Sequence, residues 1–160
     1  MSERATEYAT TFDRHSNELI ALAAGLTAEQ WDSICPEEGW PVGTVVHHVA
    51  MSFPTLSRWI QKISAGQQVS LPKSAIDEYN AEHAHQTYEQ AATIDLLRAN
   101  SAPLHELIAS LTDEQLAASA PFGPADGATL SAEQVVRGAA IRHVRTHTTS
   151  LRTALGIPAT

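Results

Sequence analysis

The sequence predicts an all-α fold, a four-helix bundle with short accessory helices, built as a single domain over residues 1–160. Three observations point there. Apolar residues recur at three- and four-residue steps through most of the chain. Alternating β-branched runs bounded by turn pairs, the mark of strands, are nearly absent. Glycine and proline fall mostly between the periodic segments.

The first helix is expected from Glu3 to Ala24, on the repeat of Tyr8, Phe12, His15, Leu19, Leu22 and Leu26, with Gly25 closing it. Thr27-Ala-Glu-Gln30 is a capping-box pattern, in which hydroxyl and amide side chains satisfy each other's backbone N–H, and it opens a short helix through Ile34. Cys35, Pro36 and Gly39 make a loop. A second long helix starts at Pro41, whose missing N–H costs nothing at a first helical position. It carries Val42, Val45, Val46, Val49, Phe53, Leu56, Ile60 and Ile63 and ends near Gly66, and Pro54 should kink it. After a connector from Gln67 to Pro72, a third element begins near Lys73 or Ser74 and covers Ile76 to Glu89. The next stretch runs from Ile94 to Leu111, with Pro103 implying a kink or break. Thr112-Asp-Glu-Gln115 repeats the capping box and a short helix. Pro121 to Thr129 is a loop around Gly123, Pro124 and Gly127. Ser131-Ala-Glu-Gln134 opens the last long helix, which ends near Gly156 and Pro158.

The chain also echoes itself. Glu18-Leu-Ile-Ala leads into Leu26-Thr-Ala-Glu-Gln30, and Glu106-Leu-Ile-Ala leads into Leu111-Thr-Asp-Glu-Gln115. Each is followed by a turn-rich loop and a helix bearing histidine, which reads as two halves of similar layout.

Lys and Arg number 10 against 18 Asp and Glu, a formal net charge of −8. That balance argues against a nucleic-acid partner, which needs a basic face for phosphates, and against an anionic membrane surface. No stretch approaches the roughly 18 apolar residues of a membrane span. The segment from Met1 to Asn17 is polar and mixed in charge, without the basic start and apolar run of a signal peptide. The one cysteine, Cys35, excludes an internal disulfide and a Cys-rich metal site, so a cytoplasmic setting is expected. Cys35 precedes Pro36 in a loop and reads as a reactive thiol or, as lone cysteines more often are, an inert one.

Against this background the chain holds 8 histidines. In the last helix, at about 100° per residue, Val136, Ala140, His143, Val144, Leu151 and Ala154 fall within roughly 60° of His147. Arg142, Arg145 and Arg152 fall on the far side and read as a solvated face. Two imidazoles are therefore expected near the middle of the apolar stripe. Histidines at i and i+4 share a face, with Cβ atoms about 5–6 Å apart. That spacing lets two ring nitrogens converge on one ion. Val144 follows His143, so this is not the HExxH of zinc proteases. The plain alternative is two core histidines hydrogen-bonded to neighbours. A third ligand must come from another helix. His47 and His48 fall at opposite edges of the second helix's stripe, and periodicity does not choose between them. His83, His85, His15 and His105 lie elsewhere.

Leu26-Thr-Ala-Glu-Gln-Trp31, then Gly39-Trp40-Pro-Val-Gly-Thr-Val-Val-His-His48-Val-Ala50, resembles the DinB-like superfamily. The nearer branch is similar to the N-terminal domain of mycothiol-dependent maleylpyruvate isomerases, in which a histidine follows a tryptophan by eight residues, as His48 follows Trp40. His143-Val-Arg-Thr-His147, followed by Leu151-Arg-Thr-Ala-Leu155, resembles the final helix of that family, and Asp77 and Asn80 resemble its second cluster. The resemblance covers almost the whole chain in the right order. It implies a four-helix bundle holding a divalent metal at His48, His143 and His147. The isomerase carries an additional C-terminal domain and this sequence closes at Thr160, so maleylpyruvate isomerisation itself is not the expected activity.

Three neutral imidazoles leave a divalent ion its full charge and an open position, whereas closed structural zinc sites have four protein ligands. Such a set suits zinc, nickel, iron or copper. The resemblance further implies a transferase using a low-molecular-weight thiol of the mycothiol, bacillithiol or glutathione class, with a small-molecule substrate. Metal-dependent hydrolysis is the related alternative. A non-enzymatic, stress-responsive bundle binding metal or a small ligand is the other class, and a bundle that has lost its metal is a third. Asn80 could orient a polar substrate group and His83 exchange a proton, set against the plainer reading of a solvated helix face. Trp31, Trp40 and Trp59 read as packing residues, and Trp40, near the start of the His48 helix, could also wall the pocket. Bundles of this family often pair through helix faces, so a homodimer is compatible with the resemblance.

Overall fold

In the computed structural model, which describes residues 2–159, the chain runs through α1 (Glu3–Ala24), α2 (Ala28–Asp32), a hairpin of β1 (Ile34–Cys35) and β2 (Trp40–Pro41), then α3 (Val42–Ser64) and α4 (Lys73–His83). There follow α5 (Gln90–Ser110), α6 (Asp113–Ala117), a hairpin of β3 (Ser119–Phe122) and β4 (Ala128–Ser131), and α7 (Ala132–Val135). A π-helical segment, Val136–Ile141, joins α7 to α8 (Arg142–Leu155), so that these three pieces form one rod.

Four rods make the bundle. α5 lies against both α1 and α3, and the last rod lies against the same two from the other side. Chain neighbours α1 and α3 therefore stand diagonally. Phe12 and Phe53 meet edge to face at the centre, with centroids 5.2 Å apart. Around them Leu19, Ile60, Leu97, Leu104, Ile108 and Leu151 have no exposed surface, each such burial stabilising by about 1.5–3 kcal/mol. The all-α four-helix architecture is as expected.

All three capping boxes form: Thr27 with Gln30, Thr112 with Gln115 and Ser131 with Gln134. The two halves share their order as well. In each, a long helix leads to a short capped helix, a hairpin and a second long helix.

The structure corrects several boundaries. The short helix ends at Asp32, and Ile34 pairs with Pro41, and Cys35 with Trp40, in a hairpin instead of a loop. The loop expected from Pro121 to Thr129 is largely the second hairpin, turning through Asp126 (φ 53°) and Gly127 (φ 78°). Asp-Gly suits a turn with two left-handed residues. β3 does alternate between exposed and buried residues, but strands of two and four residues are too short for such a pattern to stand out in the sequence. α4 stops at His83 instead of reaching Glu89, and α5 begins at Gln90, four residues before Ile94. The segment between is captured by distant groups. Thr44 Oγ1 donates to the Gln86 carbonyl (2.5 Å), Trp31 Nε1 donates to the Tyr88 carbonyl (2.8 Å), and Glu89 caps α5 at Ala91 and Ala92.

Both prolines lie inside uninterrupted helices. Pro54 deprives the Ala50 carbonyl of its helical N–H partner. Asn100 Nδ2 of α5 donates to that carbonyl across the interface, at 2.9 Å. Pro103 is exposed, as is Ala99, whose carbonyl it frees to solvent. Gly43 is demanded by packing: a Cβ there would stand 2.3 Å from the Trp31 indole. Among the described residues no helix is long and apolar enough to cross a membrane.

Candidate metal centre

α3 and α8 meet near the first hairpin. There His48, His143 and His147 each offer one ring nitrogen, and these atoms lie within 4.8 Å of one another. The ring centroids are 5.2 Å apart for His48–His143 and for His48–His147, and 4.6 Å for His143–His147. The i, i+4 spacing aligns the last two, and the eighth residue after Trp40 brings the third. His47 points elsewhere, its ring stacked on Tyr88 with centroids 3.5 Å apart.

The histidines are not at the middle of α8's buried stripe, where sequence periodicity puts them. Val144, Thr148 and Leu151 hold that place against the bundle core, and the half-buried histidines run along its edge beside α3. Just before them the π segment inserts a wider turn. Such turns are frequent at functional sites, and a 3.6-residue period does not reveal them.

Electrostatics keeps two of the rings neutral. Burial, with the nearby His147 ring adding to it, pushes His48 down to about 4 and His143 down to about 3. A neutral imidazole is what a metal requires. Among the described residues, buried His143 Nε2 has no hydrogen-bond partner, although a buried polar atom is normally satisfied. His147 is held from behind: its Nδ1–H donates to Glu38 Oε1 at 3.0 Å, leaving Nε2 to face its neighbours. A carboxylate behind a ligating histidine fixes tautomer and orientation. Burial opposes the charge on Glu38, but hydrogen bonds from Cys35 and His147 outweigh it and hold the carboxyl below its ordinary value. The donor set, the unpartnered nitrogen and the supporting carboxylate fit a divalent ion.

Glu38 sits in the hairpin turn, where Gly39 (φ 73°) reverses the chain. Glu37 accepts from Ser150 of α8 at 2.6 Å, and Cys35 donates to Glu38 Oε2 at 2.7 Å. Cys35 has no exposed surface, and burial pushes its thiol up to about 11, with the Glu38 carboxylate adding to the effect. That is the inert reading of Cys35. Sequence reasoning missed Glu38. The available signal was the acidic pair Glu37-Glu38 directly before Gly39-Trp40, in a chain whose histidines would need a carboxylate behind them.

Beside the histidines opens a cleft of about 740 Å³ between α3, α4, the second hairpin and the last rod, its wall including His48 and His143. Trp40 stands edge-on to His48, centroids 5.4 Å apart, and walls one end. Asn80 and His83 of α4 line the cleft but do not join the three histidines. His83 is turned back on its own helix, with Nδ1–H donating to the Tyr79 carbonyl (2.7 Å) and the ring stacked on Tyr79. Arg142, expected among the solvated arginines of the last helix, lines the cleft as well.

The sequence model of the DinB superfamily matches residues 11–150 of this chain. No curated protein matches it. Among solved structures the chain is similar to YfiT from Bacillus subtilis, at 20% identity and a TM-score of 0.70, covering 99% of this chain and 91% of that one. That protein is described as "a probable metal-dependent hydrolase with an unusual four-helix bundle topology". At this identity the likeness concerns the fold.

Proposed function

This chain belongs to the DinB superfamily, and from that premise we propose that it is a metal-dependent enzyme that transfers a low-molecular-weight thiol to a small organic electrophile. The observation that carries the reading is the convergence of the three histidine nitrogens within 4.8 Å at the edge of a large cleft. His48, His143 and His147 would hold the ion, with Glu38 fixing His147. A divalent ion bound there supplies positive charge that lowers the pKa of a thiol or water and polarises a carbonyl.

The rest falls to the chain's own side chains. Trp40, Trp59 and Phe122 give the cleft apolar walls that exclude water from the reacting groups. Asn80 donates to or accepts from a polar group of the substrate, and His83 offers its second nitrogen for proton exchange. Among the described residues the wall carries no aspartate or glutamate. Proton exchange in the cleft therefore falls to His83 alone of the groups named, and a thiol asks less of it than water does. A thiol ionises near about 8.5 unaided and needs little help from the ion at neutral pH, whereas water must be brought down from about 15.7 by binding to it. Hydrolysis is the second reading, favoured by the fold shared with YfiT.

Metal analysis of the purified chain tests the site. We expect close to one equivalent of divalent ion, lost in His48→Ala, His143→Ala and His147→Ala and kept in His47→Ala. Equal metal in all samples would discard the site, and loss in His47→Ala alone would assign the wrong residue of the pair. Metal-loaded protein is then given thiols paired with electrophiles. Metal-dependent consumption of thiol supports transfer, and metal-dependent turnover without thiol supports hydrolysis instead.

A further inference from the structure

The protein carries a formal net charge of −8, yet its cleft shows the opposite balance. Among the described residues, no aspartate, glutamate or lysine lines it, and one arginine does, Arg142. Its neighbours on the helix, Gly138 and Ala139, also line the cleft and are small. Arg142 is exposed, and its Nη2 lies 3.8 Å from where a Cβ on Gly138 would stand. Arginine ion pairs among the described residues belong to Arg4 and Arg98; Arg142 has no carboxylate within reach. The rest of the wall is mostly apolar, with hydroxyl, amide and imidazole groups set into it. Met51, Leu71 and Tyr79, three of the large hydrophobic side chains the molecule leaves exposed (39%, 41% and 47%), all face the cleft.

We propose that Arg142 is the specificity-determining residue that docks the carboxylate of an amphipathic organic acid, a substrate with an apolar body and one anionic end. The inference rests on reading the cleft as the substrate site. The guanidinium is permanently charged and presents a planar fork of donors that matches a carboxylate through two parallel hydrogen bonds. A cationic ligand would meet this charge with no acidic group on the wall to offset it. A neutral ligand could accept a hydrogen bond from it but would leave its charge uncompensated. An apolar body covers Met51, Leu71 and Tyr79 and removes their surface from water. Because Arg142 precedes His143 on the same helix, the anchored end lies beside the histidine cluster and the body extends along the cleft.

The test compares 4-phenylbutyrate with its uncharged amide by titration calorimetry. It uses the full chain as purified and again after EDTA treatment, which removes direct coordination of the carboxylate as a cause. The acid is expected to bind at least about tenfold more tightly than the amide in both preparations. Arg142→Gln should bring that ratio close to one, and Arg142→Lys should keep part of it, with circular dichroism and thermal melting showing each variant folded. A ratio near one in the unsubstituted chain overturns the proposal, as does a preference that survives Arg142→Gln or the failure of both compounds to bind. The outcome is separate from that of the metal site. If the chain holds no metal but the Arg142-dependent preference remains, the thiol-transfer reading fails and this one stands.

Discussion

A histidine ligates through one nitrogen, and the group held by its other nitrogen decides which one is offered and how firmly. In this chain that group is Glu38, which accepts from His147 Nδ1 at 3.0 Å while receiving the Cys35 thiol on its other oxygen at 2.7 Å. The two oxygens are thus both committed, and the carboxylate cannot rotate away without breaking one bond. Glu38→Gln keeps the shape and removes the charge. Its amide can still present an oxygen to His147 but gives a weaker bond, or present its NH2 and leave the tautomer wrong. Metal affinity, read by competition with a chromophoric chelator, should fall about 10–100-fold. Glu37→Gln, which touches Ser150 and not a histidine, should change it far less. Equal effects would mean that the hairpin supports the site only by holding its own shape. Nothing in the periodicity of the sequence pointed to Glu38, because its partner lies 109 residues away; the pairing exists only once the hairpin docks on α8.

At the scale of the element, what could be read from the sequence and what could not divides by the range of the deciding interaction. Thr27, Thr112 and Ser131 each cap a helix with a glutamine three residues on, and a signal that local survives any tertiary context. The end of α4 does not have that character. α4 buries no side chain of its own, and the chain after it is taken out of helix by Thr44 and Trp31, which lie 42 and 57 residues from the carbonyls they bind. Pro54 shows the same effect in reverse. Locally it is a helix breaker, yet α3 continues because Asn100 of α5 supplies the donor that proline lacks. This makes a definite prediction. Ala50 has no exposed surface, so Asn100→Leu leaves a buried carbonyl unsatisfied and should cost about 1–3 kcal/mol. In a Pro54→Ala background the restored N–H takes the carbonyl, and the same substitution should cost clearly less. Urea unfolding of the four proteins of this cycle measures the coupling. An identical cost in both backgrounds would show that Asn100 matters for packing and not for repairing the helix.

For the whole molecule, the echo between the two halves acquires a consequence. Each half is a long helix, a short capped helix, a hairpin and another long helix, and the candidate site lies where the halves meet. The first half contributes His48 from its second rod and Glu38 from its hairpin; the second contributes His143 and His147 from its last rod. An ion gripped there would tie together segments that the unfolded chain holds about a hundred residues apart. It would therefore bind the folded chain far better than the unfolded one and stabilise it by mass action, by about 2.7 kcal/mol when free metal is a hundred times its dissociation constant. For a chain of this size that is a rise in Tm of roughly 5–10 °C. Melting curves with EDTA and with added zinc or nickel give the measurement. His48→Ala removes the first half's grip and His143→Ala part of the second's, so either should abolish most of the rise while leaving the EDTA curve little changed, because both rings sit at the edge of the core and not at its centre. A rise of full size in both variants would place the ion elsewhere and leave the junction of the halves without its proposed occupant.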